Sequence, residues 1–158
     1  EYALGASAPG SGGAAARADA ETWVRSLLGN TGGERPWAIR DELGQSMLDN
    51  FGVFRRSEKM EKQVEIIAGL RERYDRGIVI EDKGEVFNSD LTQAIELGYL
   101  LDNAEATCVA ALHRTESRGA QFRTDFPQRN DDEWLKHIDL AMNETGPEIS
   151  YSDVTITN

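Results

Sequence analysis

Between Ser89 and Thr115 the sequence runs without a proline, with Leu91, Ile95, Gly98, Leu101, Ala104, Cys108 and Leu112 recurring at steps of three and four. That spacing puts them on one side of a helix roughly 40 Å long. A helix of that length cannot shield an apolar stripe by itself, so neighbouring helices must cover it. The small residues in the stripe allow close approach of a neighbour. Leu97, Tyr99 and Leu100 lie on its other sides, which predicts contact on more than one face. Cys108 sits mid-helix in the stripe, where a packed thiol is expected and a reactive one has no cation or helix start beside it.

Further helices are legible upstream. Ala14 to Leu28 carries Trp23, Val24, Leu27 and Leu28, and Gly29 follows as a stop. Pro36 suits a first helical position, and Trp37, Leu43, Met47 and Leu48 are expected to face inward in part before Asn50-Phe51-Gly52. Ser57 is a natural N-cap, with Glu58 behind it. Met60, Val64, Ile67 and Tyr74 then recur with helical period, widened by Ile66 and Leu70, until Gly77. Ile78-Val79-Ile80 is a strand fragment or extended connector. After Asp131 the pattern changes. Ile138 to Met142 alternates, Asn143 to Pro147 turns, and Ile149, Tyr151, Val154 and Ile156 follow at mostly period two, which predicts a β-hairpin. The expected fold is mainly α: a three- to four-helix, spectrin-repeat-like bundle over 14–130, with a short β tail over 131–158.

Composition narrows the function. The chain has 158 residues and a net charge of −11. Phosphate backbones repel such a surface, so no nucleic-acid partner is expected. No apolar run approaches the ~20 residues of a membrane span, so no direct membrane insertion is expected. Gly10 to Ala15 fits a loose GxGxxA, but the buried strand that a dinucleotide site needs is missing before it. The stretch 5–13 therefore reads as a linker. His113, His137 and Cys108 make no zinc ligand set. Glu116 lies one turn from His113, and the two could share a proton or simply be surface neighbours. The start at Glu1-Tyr2 and the end in β-branched Val154 to Thr157 suggest a piece of a longer polypeptide.

The densest chemistry lies at 114–129, where Arg114, Arg118, Arg123 and Arg129 stand among Glu116 and Asp125. Ser117-Arg118-Gly119 is expected where the long helix stops, with Gly119 free to take positive φ. Arg118, at that end, is placed to hold open carbonyls and a carboxylate together. Glu116 and Asp125 are the natural partners of Arg118 and Arg123. Two readings stand: a loop pinned by ion pairs, which the chemistry favours, or an anion or docking site.

The ordered run Arg114, Glu116, Ser117, Arg118, Gly119, Ala120, Arg123, Asp125, Phe126, Pro127, Arg129, followed by Asp132, Trp134, Leu135 and His137, resembles the C-terminal signature of the succinate dehydrogenase and fumarate reductase flavoprotein subunit. Met47 to Arg55 is similar to the start of the same domain, and the likeness spans about Arg35 to Thr157. Gln121 departs from it, since the family usually has histidine after Gly-Ala; any role of that imidazole is not carried over.

The resemblance implies a helical domain behind a FAD-binding domain, with 1–13 as the end of the last FAD-domain helix and a linker. It implies a whole protein that interconverts succinate and fumarate by hydride transfer with FAD and passes electrons to an iron–sulfur subunit on membrane anchor subunits. Its place would be peripheral, at the cytoplasmic face of the cell membrane. The family's catalytic and FAD-binding positions lie upstream, so no catalytic, cofactor-binding or metal residue is expected here. Arg114, Glu116, Arg118, Gly119, Arg123, Asp125 and Arg129 are expected to be structural or interface residues beside the protein's own FAD-binding domain. The rivals are the corresponding domain of L-aspartate oxidase and a non-enzymatic helical interaction module.

Overall fold

The computed structural model describes residues 12–84, 86–143 and 146–156. The proposed linker and preceding helix end therefore lie almost wholly outside the described residues. Four long helices come first: α1 (Gly12–Gly29), α2 (Pro36–Phe51), α3 (Ser57–Arg76) and α4 (Ser89–His113). A two-residue strand β1 (Phe54–Arg55) separates α2 from α3. After α4 come β2 (Phe122–Arg123), a single turn α5 (Asp131–Trp134), and the strands β3 (Lys136–Asn143) and β4 (Gly146–Asp153). The expected mainly α bundle with a β tail is what forms.

The core lies between α2, α3 and α4. Ile39, Leu43, Met60, Ile67, Leu70, Leu97, Leu101 and Cys108 are buried together, with Ile78 and Ile80 of the connector below them. Of α1, Leu27 and Leu28 pack against this core. The Lys83 ammonium donates to the Leu28 and Asn30 carbonyls and closes the open end of α1. Burial pushes the Cys108 thiol up to about 12, as expected of a packed cysteine.

The inward face differs in detail from the sequence expectation. Trp37 and Leu48, expected to turn inward in part, are 55% and 73% exposed. The buried stripe of α2 runs through Ile39 and Leu43 to Asn50, and Leu48 falls on the opposite side of the 3.6-residue turn. Leu97 is buried with the stripe of α4, whereas Tyr99 and Leu100 face outward. A polar pair is buried as well: Asn50 donates to Gln63, and Gln63 donates to Ser46.

Two elements close the far end. β1 and β2 form a parallel ladder, Phe54 opposite Phe122 and Arg55 opposite Arg123. β3 and β4 form the antiparallel tail hairpin, in register from Lys136 and Asp153 to Asn143 and Gly146. No described helix is long and apolar enough to cross a membrane.

Candidate functional site

The arginine-rich stretch folds into a junction where the end of α4, the start of α3 and the base of the hairpin meet. α4 ends at His113, short of the expected stop, and Arg114 is already extended. The reason is Arg123, which has no exposed surface. Its Nη1 donates to the Ala111, Leu112 and Arg114 carbonyls at 3.2, 3.0 and 3.0 Å. These are the carbonyls that a helix C-terminus leaves open, at its negative end. Arg123, not Arg118, performs the task expected of a helix-end arginine.

The rest of the Arg123 fork points to the other helix. Nε and Nη2 hold the two Asp125 carboxylate oxygens at 2.9 and 2.8 Å, and Nη2 also donates to Ser57 Oγ at 2.7 Å. Asp125 in turn accepts from the Ser57 backbone N–H at 2.9 Å and from Ser57 Oγ at 2.7 Å. The first turn of α3 is thus capped by a carboxylate 68 residues away. The expectation that Ser57 is the N-cap is corrected. Arg56 occupies that position with extended backbone, and Ser57 is already helical. The bond to Arg123 and those from Ser57 hold the Asp125 carboxyl well below its ordinary range, against the opposing effect of burial.

A second center is built on Glu116, which is fully buried. Its Oε1 accepts from Arg114 Nη1 and Arg118 Nε, both at 2.7 Å. Its Oε2 accepts from Arg118 Nη2 at 3.0 Å and from the Asn130 N–H at 2.8 Å. Burial alone would raise its pKa, but the bonds from Arg118, Asn130 and Arg114 together hold it below the usual value. Glu116 does not meet His113. That ring instead shares a hydrogen bond with the Tyr151 hydroxyl and lies edge-on to Trp134. Arg114 continues to the hairpin, donating to the Trp134 carbonyl at 2.9 Å and the Lys136 carbonyl at 2.7 Å.

Asp131 completes the network. It accepts from Arg118 at 2.7 Å and from both Nε and Nη2 of Arg129. Arg129 first, then Arg118, bring its pKa down to about 2. Gly119 has φ +57° in the tight turn where Arg118 and Gln121 exchange backbone hydrogen bonds of 2.8 and 3.0 Å. Ser117 Oγ donates to the Phe126 carbonyl and accepts from the Arg123 N–H, fixing the loop from inside.

The seven residues singled out in the sequence therefore occupy one junction with two linked halves. Arg129 sits at its exposed rim. Sequence reasoning missed Asp131, Asn130 and the pairing of Ser57 with Asp125. Asn130 was detectable, since an Asn before three acids is a helix N-cap signal, and its side chain does accept from the Glu133 N–H. The junction is chemically saturated: among the described residues no buried side-chain nitrogen or oxygen lacks a partner. Its arginines are engaged by its own carboxylates. Among the described residues no group of three or more His, Cys, Asp or Glu is placed to hold a metal. No described strand leads into a glycine turn and helix, so these residues do not fit a flavin dinucleotide, and no flavin chemistry is assigned to them.

The family described as the fumarate reductase flavoprotein C-terminal region matches residues 40–158. The chain is 45% identical over 127 residues to a fumarate reductase flavoprotein subunit of Haemophilus influenzae, covering 79% of this chain and 21% of that protein. It is 39% identical over 120 residues to a succinate dehydrogenase flavoprotein subunit of Rickettsia bellii, covering 75% of this chain and 20% of that protein. A solved quinol fumarate reductase chain of E. coli superposes with a TM-score of 0.88 at 37% identity, over 98% of this chain and 27% of that one. The chain thus spans about a fifth to a quarter of the length of these relatives. L-aspartate oxidase and a free-standing interaction module are not favoured by these likenesses. With the arginine signature, the helical bundle and the matched region in agreement, the chain belongs to the C-terminal domain family of fumarate reductase and succinate dehydrogenase flavoprotein subunits.

Proposed function

We propose that the chain is the bracing domain of a longer, FAD-dependent flavoprotein subunit that interconverts succinate and fumarate. The whole protein passes electrons to an iron–sulfur subunit carried by membrane anchor subunits. It works as a peripheral component at the cytoplasmic face of the cell membrane. In this reading the domain contributes no catalytic group. Arg114, Glu116, Arg118, Gly119, Arg123, Asp125 and Arg129 are structural pins that keep one face rigid for the protein's own FAD-binding domain.

The observation that carries the reading is the saturated junction within a chain of this family. Its arginines already hold three helices and the hairpin in one geometry, and a donor engaged by its own carboxylate has little left for a substrate dicarboxylate. The test compares this chain with the full-length polypeptide. The full-length protein should carry a flavin absorbance and reduce a dye with succinate. The chain alone should bind no FAD in a flavin titration and show no turnover. Turnover by the chain alone, or a full-length protein without flavin, would overturn the proposal.

A further inference from the structure

One half-buried cation is left out of the network. Among the described residues, the arginines that are at least partly buried are Arg55, Arg71, Arg73, Arg114, Arg118 and Arg123. Five of these six pair with a carboxylate of the chain. Arg55 alone does not. Its Nε donates to the Gly52 carbonyl at 3.0 Å, its Nη1 donates to the Gln121 side-chain oxygen, and its guanidinium lies 4.3 Å from the Phe51 ring centroid. All of these partners are neutral. Gln121 is anchored by its own donation to the Ala111 carbonyl at 2.9 Å, so its oxygen faces the guanidinium in a fixed orientation. Burial pulls the pKa of Arg55 down, as it must for a charge without a counter-ion.

An acidic chain has many carboxylates with which to neutralise such a cation, yet among the described residues none pairs with it. Among the described residues Arg40 and Arg76 also have no ion pair, but both are exposed to water. Arg55 is held, oriented and partly desolvated, with donors on Nη1 and Nη2 unused. On the other face of the β1–β2 pair, where strand alternation puts the neighbouring side chain, Phe54 is 72% exposed and meets the half-open Phe122 ring edge-on at 5.6 Å. A preoriented arginine beside an exposed apolar face is an element of protein interfaces, where arginine is enriched.

We propose that Arg55 is the docking cation by which this domain grips a carboxylate on the larger, preceding part of its own polypeptide. The inference rests on the reading of the chain as one domain of a longer protein. Length supports that occupant, since the matched part covers only 21% and 20% of these relatives. Charge argues against a second copy, because two chains of net charge −11 repel each other. The neutral Gln121 is what keeps the cation available; an acidic residue there would satisfy it internally.

The test uses the full-length protein and measures how fast limited proteolysis releases the domain from the native molecule. Arg55→Met should speed release by roughly tenfold, the ratio that corresponds to losing one charge-assisted hydrogen bond. Arg55→Lys should lie between the variant and the parent. Gln121→Ala removes the same internal bond and loosens the orientation of the cation but leaves the cation itself, and should speed release clearly less than Arg55→Met. Gln121→Glu keeps the arginine and should still speed release, because the new carboxylate competes for it. Equal release for Arg55→Met and Gln121→Ala, or parental release for both Arg55→Met and Gln121→Glu, would overturn the inference. Flavin content and succinate turnover of the unsubstituted protein report separately on the function proposed above, so the two failures are distinguishable.

Discussion

At the scale of single residues, the junction separates arginines that look alike in sequence. Arg123 is buried and holds three carbonyls, Asp125 and Ser57 at once. Arg118 is part-exposed, and its partners Glu116 and Asp131 each retain another cation without it. Arg123→Ala should therefore cost on the order of 3 kcal/mol, because it leaves several helix-end carbonyls without their buried donor. Arg118→Ala should cost less, and Arg123→Lys should recover only part of the loss, since an ammonium cannot reach both sides of the fork. Thermal and urea melts of the three variants check this order; an Arg118 variant less stable than Arg123→Ala would reverse it.

The same carboxylates set an acid limit. The pKa values of Asp125, Glu116 and Asp131 are all lower in the folded chain than their ordinary values of 3.8, 4.5 and 3.8. A group with a depressed folded pKa stabilises fully above its unfolded value, and that stabilisation is lost as pH falls through the folded value. Their contribution to the melting temperature should be flat from about pH 8 to 5 and fall below about pH 4.5. Glu116→Gln should lower the plateau and flatten the acid slope. An unchanged slope in that variant would mean that other groups set the limit.

At the scale of elements, the chain crossing between α1 and α2 passes very close to the end of α3. Gly33 has φ +120° and Gly77 has φ +142°, and a Cβ on Gly33 would stand 2.1 Å from the Gly77 carbonyl oxygen. The approach is what lets the Glu34 N–H donate to the Gly77 carbonyl at 3.2 Å. Gly33→Ala is expected to destabilise by about 3 kcal/mol, from backbone strain and forced separation. Gly69→Ala, on the exposed side of α3 with open space around it, should instead stabilise by about 0.5–1 kcal/mol. Opposite signs in the two melts are the expected result.

What could be read in advance follows from how local each cause is. The α3 pattern from Met60 to Tyr74 and the alternation after Lys136 are set by near neighbours, and both elements formed as expected. The parallel pair of β1 with β2 was not legible, because two residues carry no periodicity and their partners lie 68 positions apart. The cap of α3 was misread for the same reason: Ser57 suits an N-cap, but the group that caps it, Asp125, arrives from beyond α4. In the junction, the partners of Arg118 and Arg123 within two residues were foreseeable, whereas Asp131 required knowledge of how the loop folds back.

At the scale of the whole molecule, the hairpin bonds described to the bundle gather at its base. Its base meets the bundle through Arg114, which holds the Trp134 and Lys136 carbonyls, and through the bond between His113 and Tyr151. Lys136 also places its ammonium 4.0 Å from the Tyr151 ring centroid. Toward the turn, Ala141, Met142 and Glu148 are exposed, while Gly146 and Pro147 are half-buried. The bundle core, by contrast, is closed by α2, α3 and α4 without help from the hairpin. The two parts should therefore differ in local stability, with the hairpin opening without global unfolding. Arg114→Ala removes three hydrogen bonds at the hinge. Amides of β3 and β4 should then exchange at least about tenfold faster, the equivalent of losing one to two net hydrogen bonds, while those of Leu97 to Cys108 keep their protection. Hydrogen exchange followed by mass spectrometry reads both regions in one sample. Equal acceleration in the hairpin and the core would show that the tail is a cooperative part of the bundle, and that the junction fastens one folding unit instead of joining two.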